Sequence, residues 1–177
     1  VRPARDLGLD TSRISLPEHI EFPTPPGPDG HPSVAYVLFY PPVNPDFVGP
    51  PGELPPLLVM IHGGPQGAWN DAWSFRWNPR LWASRGYTVI LPNPRGSTGF
   101  GQGYTDAVRD DWGGAPYQDI MALTDAAVAS GEADGGRICA VGASYGGYMV
   151  NWINGQTGRF RCLVTHAGSF DLAGHYY

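Results

Sequence analysis

Three residues in the stretch AVGASYGGYM raise a chemical question: Gly142, Ser144 and Gly146 stand in the order G-x-S-x-G. A serine hydroxyl is a weak nucleophile unless a base takes its proton and the backbone holds it clear of its neighbours. In a strand–serine–helix turn the chain bends so sharply that side chains two residues either side would collide with nearby backbone, and glycine relieves this. The turn lifts the serine oxygen above the sheet and sets a helix N-terminus beneath it, where the helix dipole favours a developing anion. A second segment, HGGP at residues 62–65, suits the same chemistry. Gly64 has no side chain to keep its amide from a substrate oxygen, and the amide of Tyr145 is the natural partner donor of an oxyanion hole. His62 opens this loop and is read as orienting the turn, not as deprotonating Ser144.

These groups need a scaffold. LLVMIHGG (57–64), YTVILPNPRG (87–96), RICAVGAS (137–144) and FRCLVTHAG (160–168) are apolar runs of the kind that form strands buried on both faces. GAPYQDIMALTDAAVASG (114–131) reads as a helix, with Tyr117, Ile120, Met121, Thr124, Ala127 and Val128 on one face. YGGYMVNWIN continues from Ser144 as a second helix. In AWSFRWNPRLWASRG, Asn78 suits a cap, Pro79 a first helical turn and Gly86 a C-terminal stop. Buried strands alternating with helices predict an α/β protein whose mostly parallel sheet is covered on both faces. Upstream, PEHIEFPT and PSVAYVLFYPP read as two short strands around the turn PPGPDGH, and NPDFVGPPGELPP as a rigid connector. Trp69, Trp73 and Trp77 recur every four residues and read as a packed helix or loop face. RGSTGFGQGY does not follow G-x-G-x-x-G, so dinucleotide and P-loop readings fall away and a bent loop near the site remains.

Composition excludes several classes. The 177 residues suffice for one domain with a real core and are short for two. A net charge of −5 and a pI near 5.4 argue against nucleic acid or an anionic membrane surface as partner. The opening VRPARDLGLDTSR lacks the apolar core of a signal peptide and an initiator methionine, and no apolar run reaches spanning length. The histidines show no metal-ligand spacing, so neither a metal nor another cofactor is expected. Cys139 and Cys162 lie in apolar runs and are read as buried small residues, not as a bridge or redox pair. A chain without disulfides or signal points to the cytoplasm.

HGGPQGAW, YTVILPNPRGSTGFGQGY, DDWGGAPYQDIMA, VGASYGGYMVNW and THAGSFDL, in that order, resemble the catalytic domain of the prolyl oligopeptidase family. The likeness is nearest to its acylaminoacyl-peptidase and dipeptidyl-peptidase-5-like branch. It covers roughly residues 55–177, and residues 14–45 look like the short strands that open that domain. The resemblance implies an α/β-hydrolase fold, incomplete at its C-terminal end. It implies a serine peptidase that releases N-acylated amino acids or dipeptides from short peptides through an acyl-enzyme at Ser144. It implies the Gly64 and Tyr145 amides as oxyanion donors. It also matches Tyr145, Phe170 and Tyr176 to positions lining an apolar pocket for the residue before the cut. The implied division is residues 1–13 as a linker from an N-terminal β-propeller and residues 14–177 as the first part of the hydrolase domain.

In G-x-S-x-G hydrolases the acid and the base follow the serine along the chain. After Ser144 come one acid, Asp171, and two histidines, His166 and His175. Asp171 and His175 are in the right order, but the fold takes its acid and base from loops after later strands. His166 follows a predicted buried strand and reads as a hydrogen-bonded structural histidine. The expectation is a chain without its own base, inactive by itself and completed by further segments of its polypeptide. A sheet with an open edge is not expected to be stable alone. A homo-oligomer is compatible with this reading. Two alternatives stay open: a carboxylesterase on the same fold, and a hydrolase-like module that only binds.

Overall fold

The computed structural model describes residues 10–26 and 33–176; the side chains of His175 and Tyr176 lie outside the described residues. Glu18–Thr24 (β1) and Ser33–Tyr40 (β2) pair antiparallel, and β2 pairs antiparallel with Thr88–Asn93 (β4). Pro56–Ile61 (β3) lies parallel between β4 and Asp134–Ala143 (β5), and Cys162–His166 (β6) runs parallel beside β5. The sheet order is β1-β2-β4-β3-β5-β6.

The apolar runs alternate in the direction their side chains take. Leu57, Val59 and Ile61 of β3 join Ile90, Ile138 and Ala140 in one core, under Ala115–Ala129 (α3) and Tyr145–Gln156 (α4). Leu58 and Met60 join Val89, Leu91 and Val141 in a second core on the opposite face, where Pro79–Ala83 (α1) packs. A strand buried on both faces shows no polar–apolar alternation, which is why these read as continuous runs. Asn78 caps α1 by accepting the Arg80 N–H at 3.0 Å, and Pro79 begins it, as predicted.

Four expectations need correction. The run 160–168 is not a buried strand: β6 is short and four of its five residues are exposed, because it lies at the end of the sheet order. The tryptophans do not share one packed face: Trp69 and Trp77 pack on the second core, whereas Trp73 is exposed. RGSTGFGQGY ends not as plain loop but in the single-turn helix Gln102–Asp106 (α2). Cys139 and Cys162 form a disulfide, and Cys162 is exposed. The two stand directly opposite in the β5–β6 ladder, where paired residues share a face. Their separation of 23 residues, with all of α4 between them, hides this in the sequence.

Candidate active site

β5 ends at Ala143 and α4 begins at Tyr145, leaving Ser144 alone at the bend. Its backbone is at φ 57° and ψ −121°, a conformation that a non-glycine residue keeps only when its surroundings impose it. The surroundings are tight: a Cβ on Gly142 would overlap the Gly146 carbonyl, and one on Gly146 would overlap the carbonyl of Ile61 at the end of β3. The Ser144 N–H donates to the His166 carbonyl at 3.1 Å, which ties the bend to β6. Ser144 is itself exposed.

HGGP sits beside it. A Cβ on Gly63 would lie 3.3 Å from the Ser144 Cβ and 3.8 Å from its Oγ, so this backbone packs close against the Ser144 side chain. Gly64 is at φ 133°, where a Cβ would meet the Gln66 amide at 2.6 Å, and its bond to Pro65 is cis. Among the described residues, neither the Gly64 nor the Tyr145 amide donates to another group. An oxyanion requires N–H donors that no other group has claimed.

His62 turns away from Ser144. Its Nδ1 lies 2.7 Å from the Gly63 carbonyl and its Nε2 3.0 Å from Ser97 Oγ. Burial pushes its pKa below the ordinary histidine value of 6.5, and the Gly63 hydrogen bond opposes this only in part. A neutral ring with the proton on Nδ1 donates to Gly63 and accepts the Ser97 hydroxyl at Nε2. That hydroxyl also reaches the Pro94 carbonyl at 2.6 Å, and its single proton serves one acceptor at a time. Thr98 N–H donates to the Gly67 carbonyl at 2.9 Å, a second tie between the two loops.

Beneath the 94–101 loop lies a buried ion pair that the sequence reading missed. The Arg95 guanidinium donates to both carboxylate oxygens of Asp119 at 2.6–3.1 Å, and the Arg95 N–H donates to Asp119 Oδ2 at 2.8 Å. The partners are 24 residues apart, on a loop and on α3, and no local spacing announces them.

Of the residues matched to a substrate pocket, Tyr145 and Phe170 lie in different surroundings. The Tyr145 ring is 2% exposed, stacks on Tyr148 and meets Trp112 edge-on, and its hydroxyl donates to the Trp112 carbonyl at 2.8 Å. Its side chain therefore fills core and lines no open pocket. Phe170, by contrast, is 87% exposed beyond β6. The side chain of Tyr176, at the end of Leu172–Tyr176 (α5), lies outside the described residues. A cavity of about 540 Å³ flanks α4, lined by Trp112, Tyr148, Trp152 and Leu172 with Asp110 and Asp111; neither Ser144 nor Phe170 lines it.

No side-chain hydrogen bond to Ser144 Oγ occurs among the described residues. His166 is exposed and its ring meets Trp77 edge-on, so it is not the hydrogen-bonded structural histidine expected. Asp171 accepts the Ala173 N–H at 3.1 Å at the start of α5. The His175 side chain lies outside the described residues.

The model of the prolyl oligopeptidase family, Peptidase_S9, matches residues 73–177, more than half of the chain and the part that holds the serine bend. The chain belongs to the prolyl oligopeptidase family. Among curated family relatives, the probable dipeptidyl-peptidase 5 of Trichophyton verrucosum is 55% identical over 120 residues, 65% of this chain and 16% of that protein. The dipeptidyl-peptidase 5 of Arthroderma benhamiae matches to the same extent. A puromycin-hydrolyzing peptidase of Mycobacterium tuberculosis superposes with a TM-score of 0.81 at 35% identity, over 94% of this chain and 24% of that one. The acylaminoacyl peptidase of Pyrococcus horikoshii superposes at 0.72 with 28% identity, over 88% of this chain and 24% of that one. The sheet is that of the α/β-hydrolase fold of these peptidases. The chain spans about a sixth of the length of the dipeptidyl-peptidase relatives. No helix among the described residues is long and apolar enough to cross a membrane.

Proposed function

We propose that this chain carries the nucleophile and oxyanion hole of a serine peptidase that acts on short peptides. The observation behind this is Ser144: exposed, at φ 57°, with the Gly63 backbone packed close against its side chain. In this reading a histidine takes the Oγ proton as Oγ bonds to the scissile carbonyl carbon. The Gly64 and Tyr145 amides hold the resulting oxyanion. The C–N bond then breaks, the leaving amine takes the proton, and water hydrolyses the ester left on Ser144.

The histidine and its acid partner come from polypeptide outside residues 1–177, which alone are inactive. Residues 14–177 form the first part of the hydrolase domain, and residues 1–13 a linker from an N-terminal propeller. The names of the relatives favour release of dipeptides or N-acylated amino acids, with Phe170 and Tyr176 beside the residue before the cut. The cytoplasmic expectation loses one of its two grounds, the absence of disulfides, because Cys139 and Cys162 are paired and such pairs persist in oxidising compartments.

The test uses the full polypeptide containing this chain. A fluorophosphonate probe should label Ser144, and Ser144→Ala should abolish both labelling and cleavage. Dipeptidyl and N-acyl-aminoacyl anilides, offered side by side, decide the mode of release. A folded full-length protein whose Ser144 stays unlabelled would overturn the reading in favour of a binding module. Cleavage of short-chain esters with no cleavage of either anilide would favour a carboxylesterase.

A further inference from the structure

The HGGP turn stands in a stretch without helix or strand, between the end of β3 at Ile61 and the start of α1 at Pro79. No ladder fixes its path, so its backbone groups must find partners elsewhere. Trp69 is where they converge. The pairing of β3 with β4 ends at Val59, and one residue on, the Met60 carbonyl accepts the Trp69 indole N–H at 2.9 Å. This bond closes residues 60–69 into a loop with Gly64 midway round it. The backbone of Trp69 is held as well. Its N–H donates to Asn93 Oδ1 at 2.7 Å, and its carbonyl accepts from Asn93 Nδ2 at 3.0 Å. One side-chain amide satisfies donor and acceptor together, as a neighbouring strand would.

Asn93 is itself firmly held. It is buried at the end of β4, and its own carbonyl accepts the Tyr104 hydroxyl at 2.7 Å. β3 and β4 are interior strands, each paired on both sides. From this anchor a line of contacts runs to Gly64. The Trp69 ring meets the His62 ring edge-on with centroids 6.4 Å apart, and His62 Nδ1 holds the Gly63 carbonyl. In a planar trans peptide the C=O and the following N–H point in opposite directions, so whatever fixes the Gly63 carbonyl fixes the Gly64 N–H.

We propose that Asn93 and Trp69 are positioning residues for the oxyanion hole: the Asn93 amide clamps Trp69, and Trp69 seats the His62–Gly64 turn beside Ser144. The proposal rests on Ser144 being the nucleophile and Gly64 an oxyanion donor. The oxyanion forms only as the scissile carbon becomes tetrahedral. A misplaced donor therefore slows the chemical step and leaves substrate binding alone. A residue that merely supports the fold would lower stability without that selectivity.

The experiment uses the full polypeptide and whichever of the dipeptidyl and N-acyl-aminoacyl anilides it cleaves. For each protein kcat, KM, the rate of fluorophosphonate labelling at Ser144 and the melting midpoint are measured. Asn93→Ala removes both bonds to the Trp69 backbone, and Trp69→Phe removes the indole N–H but keeps a ring. Ile120→Val, in the core beside α3, controls for general loss of stability. Asn93→Ala should lower kcat and kcat/KM together by about tenfold to a hundredfold, short of the about 10²–10³-fold lost with a whole oxyanion donor. KM should stay unchanged, and labelling should slow in step with kcat. Trp69→Phe should act in the same direction with a smaller fall, and it decides alone if Asn93→Ala does not fold. Ile120→Val should lower the midpoint and leave kcat as it was. A raised KM at unchanged kcat, or kcat unchanged in the folded variants, would overturn the clamp. So would an equal fall of kcat in Ile120→Val at an equal drop in midpoint. If the natural protein cleaves neither anilide and leaves Ser144 unlabelled, the peptidase reading fails and this inference fails with it; an active natural protein with equally active variants defeats this inference alone.

Discussion

Ser144 owes its exposed position to the absence of side chains at Gly142 and Gly146. Gly146→Ala would drive a methyl group into the Ile61 carbonyl, and backbone cannot yield as a flexible side chain would. We expect a loss of about 1–3 kcal/mol in stability, read from urea unfolding, together with loss of probe labelling at Ser144. His62 makes a pH prediction. Its folded pKa lies below the ordinary 6.5, so below that pH the unfolded chain binds a proton that the folded chain refuses. Stability is therefore full above about pH 6.5 and falls as the pH drops below it, by at most one proton's slope. Urea midpoints at about pH 8 and about pH 5 should show this loss, and His62→Gln should remove that share of the slope. The serine bend and HGGP were readable because local turn chemistry demands those residue types. The Ser97 hydroxyl against His62 was not, since residues 35 apart meet only once β3 and β4 lie side by side.

At the scale of elements, two cross-links hold the loops and strands around the bend. Asp119→Ala would leave the Arg95 guanidinium buried without a counter-charge, an error that costs about 3–5 kcal/mol in comparable cases. The midpoint of denaturant unfolding checks this, and Asp119→Glu, which keeps the charge, should recover part of it. Loss of the Cys139–Cys162 bond should cost about 3 kcal/mol through the freedom regained by the unfolded chain. Comparing midpoints of the oxidised and reduced protein measures that figure. The core strands were legible from their unbroken apolar runs, and α3 from its helical period. β6 was misjudged because LVTH in an apolar context reads the same at an edge as in the middle of a sheet; strand order decides its burial.

For the whole molecule, one side of the sheet stands open. Val164 on β6, Trp152 on α4 and Phe170 and Leu172 beyond β6 are exposed at that side, next to an edge strand with unpaired backbone groups. Such an edge is a template for association with other chains. The 177-residue chain expressed alone should therefore self-associate, as light scattering would show, and the full polypeptide should not. A monodisperse, monomeric 177-residue chain would contradict this expectation.

The amino-acid sequence by itself determined the α/β layering, the serine bend, the glycine turn of HGGP beside it and the family likeness. Each depends on residues close together in the chain, where periodicity, turn geometry and short motifs act directly. Tertiary structure alone decided which elements stand at the edge, which cysteines meet, that Arg95 finds Asp119, and that the Tyr145 ring faces core while Phe170 faces solvent. Those outcomes follow from strand order and register, which bring together residues that no spacing along the chain relates.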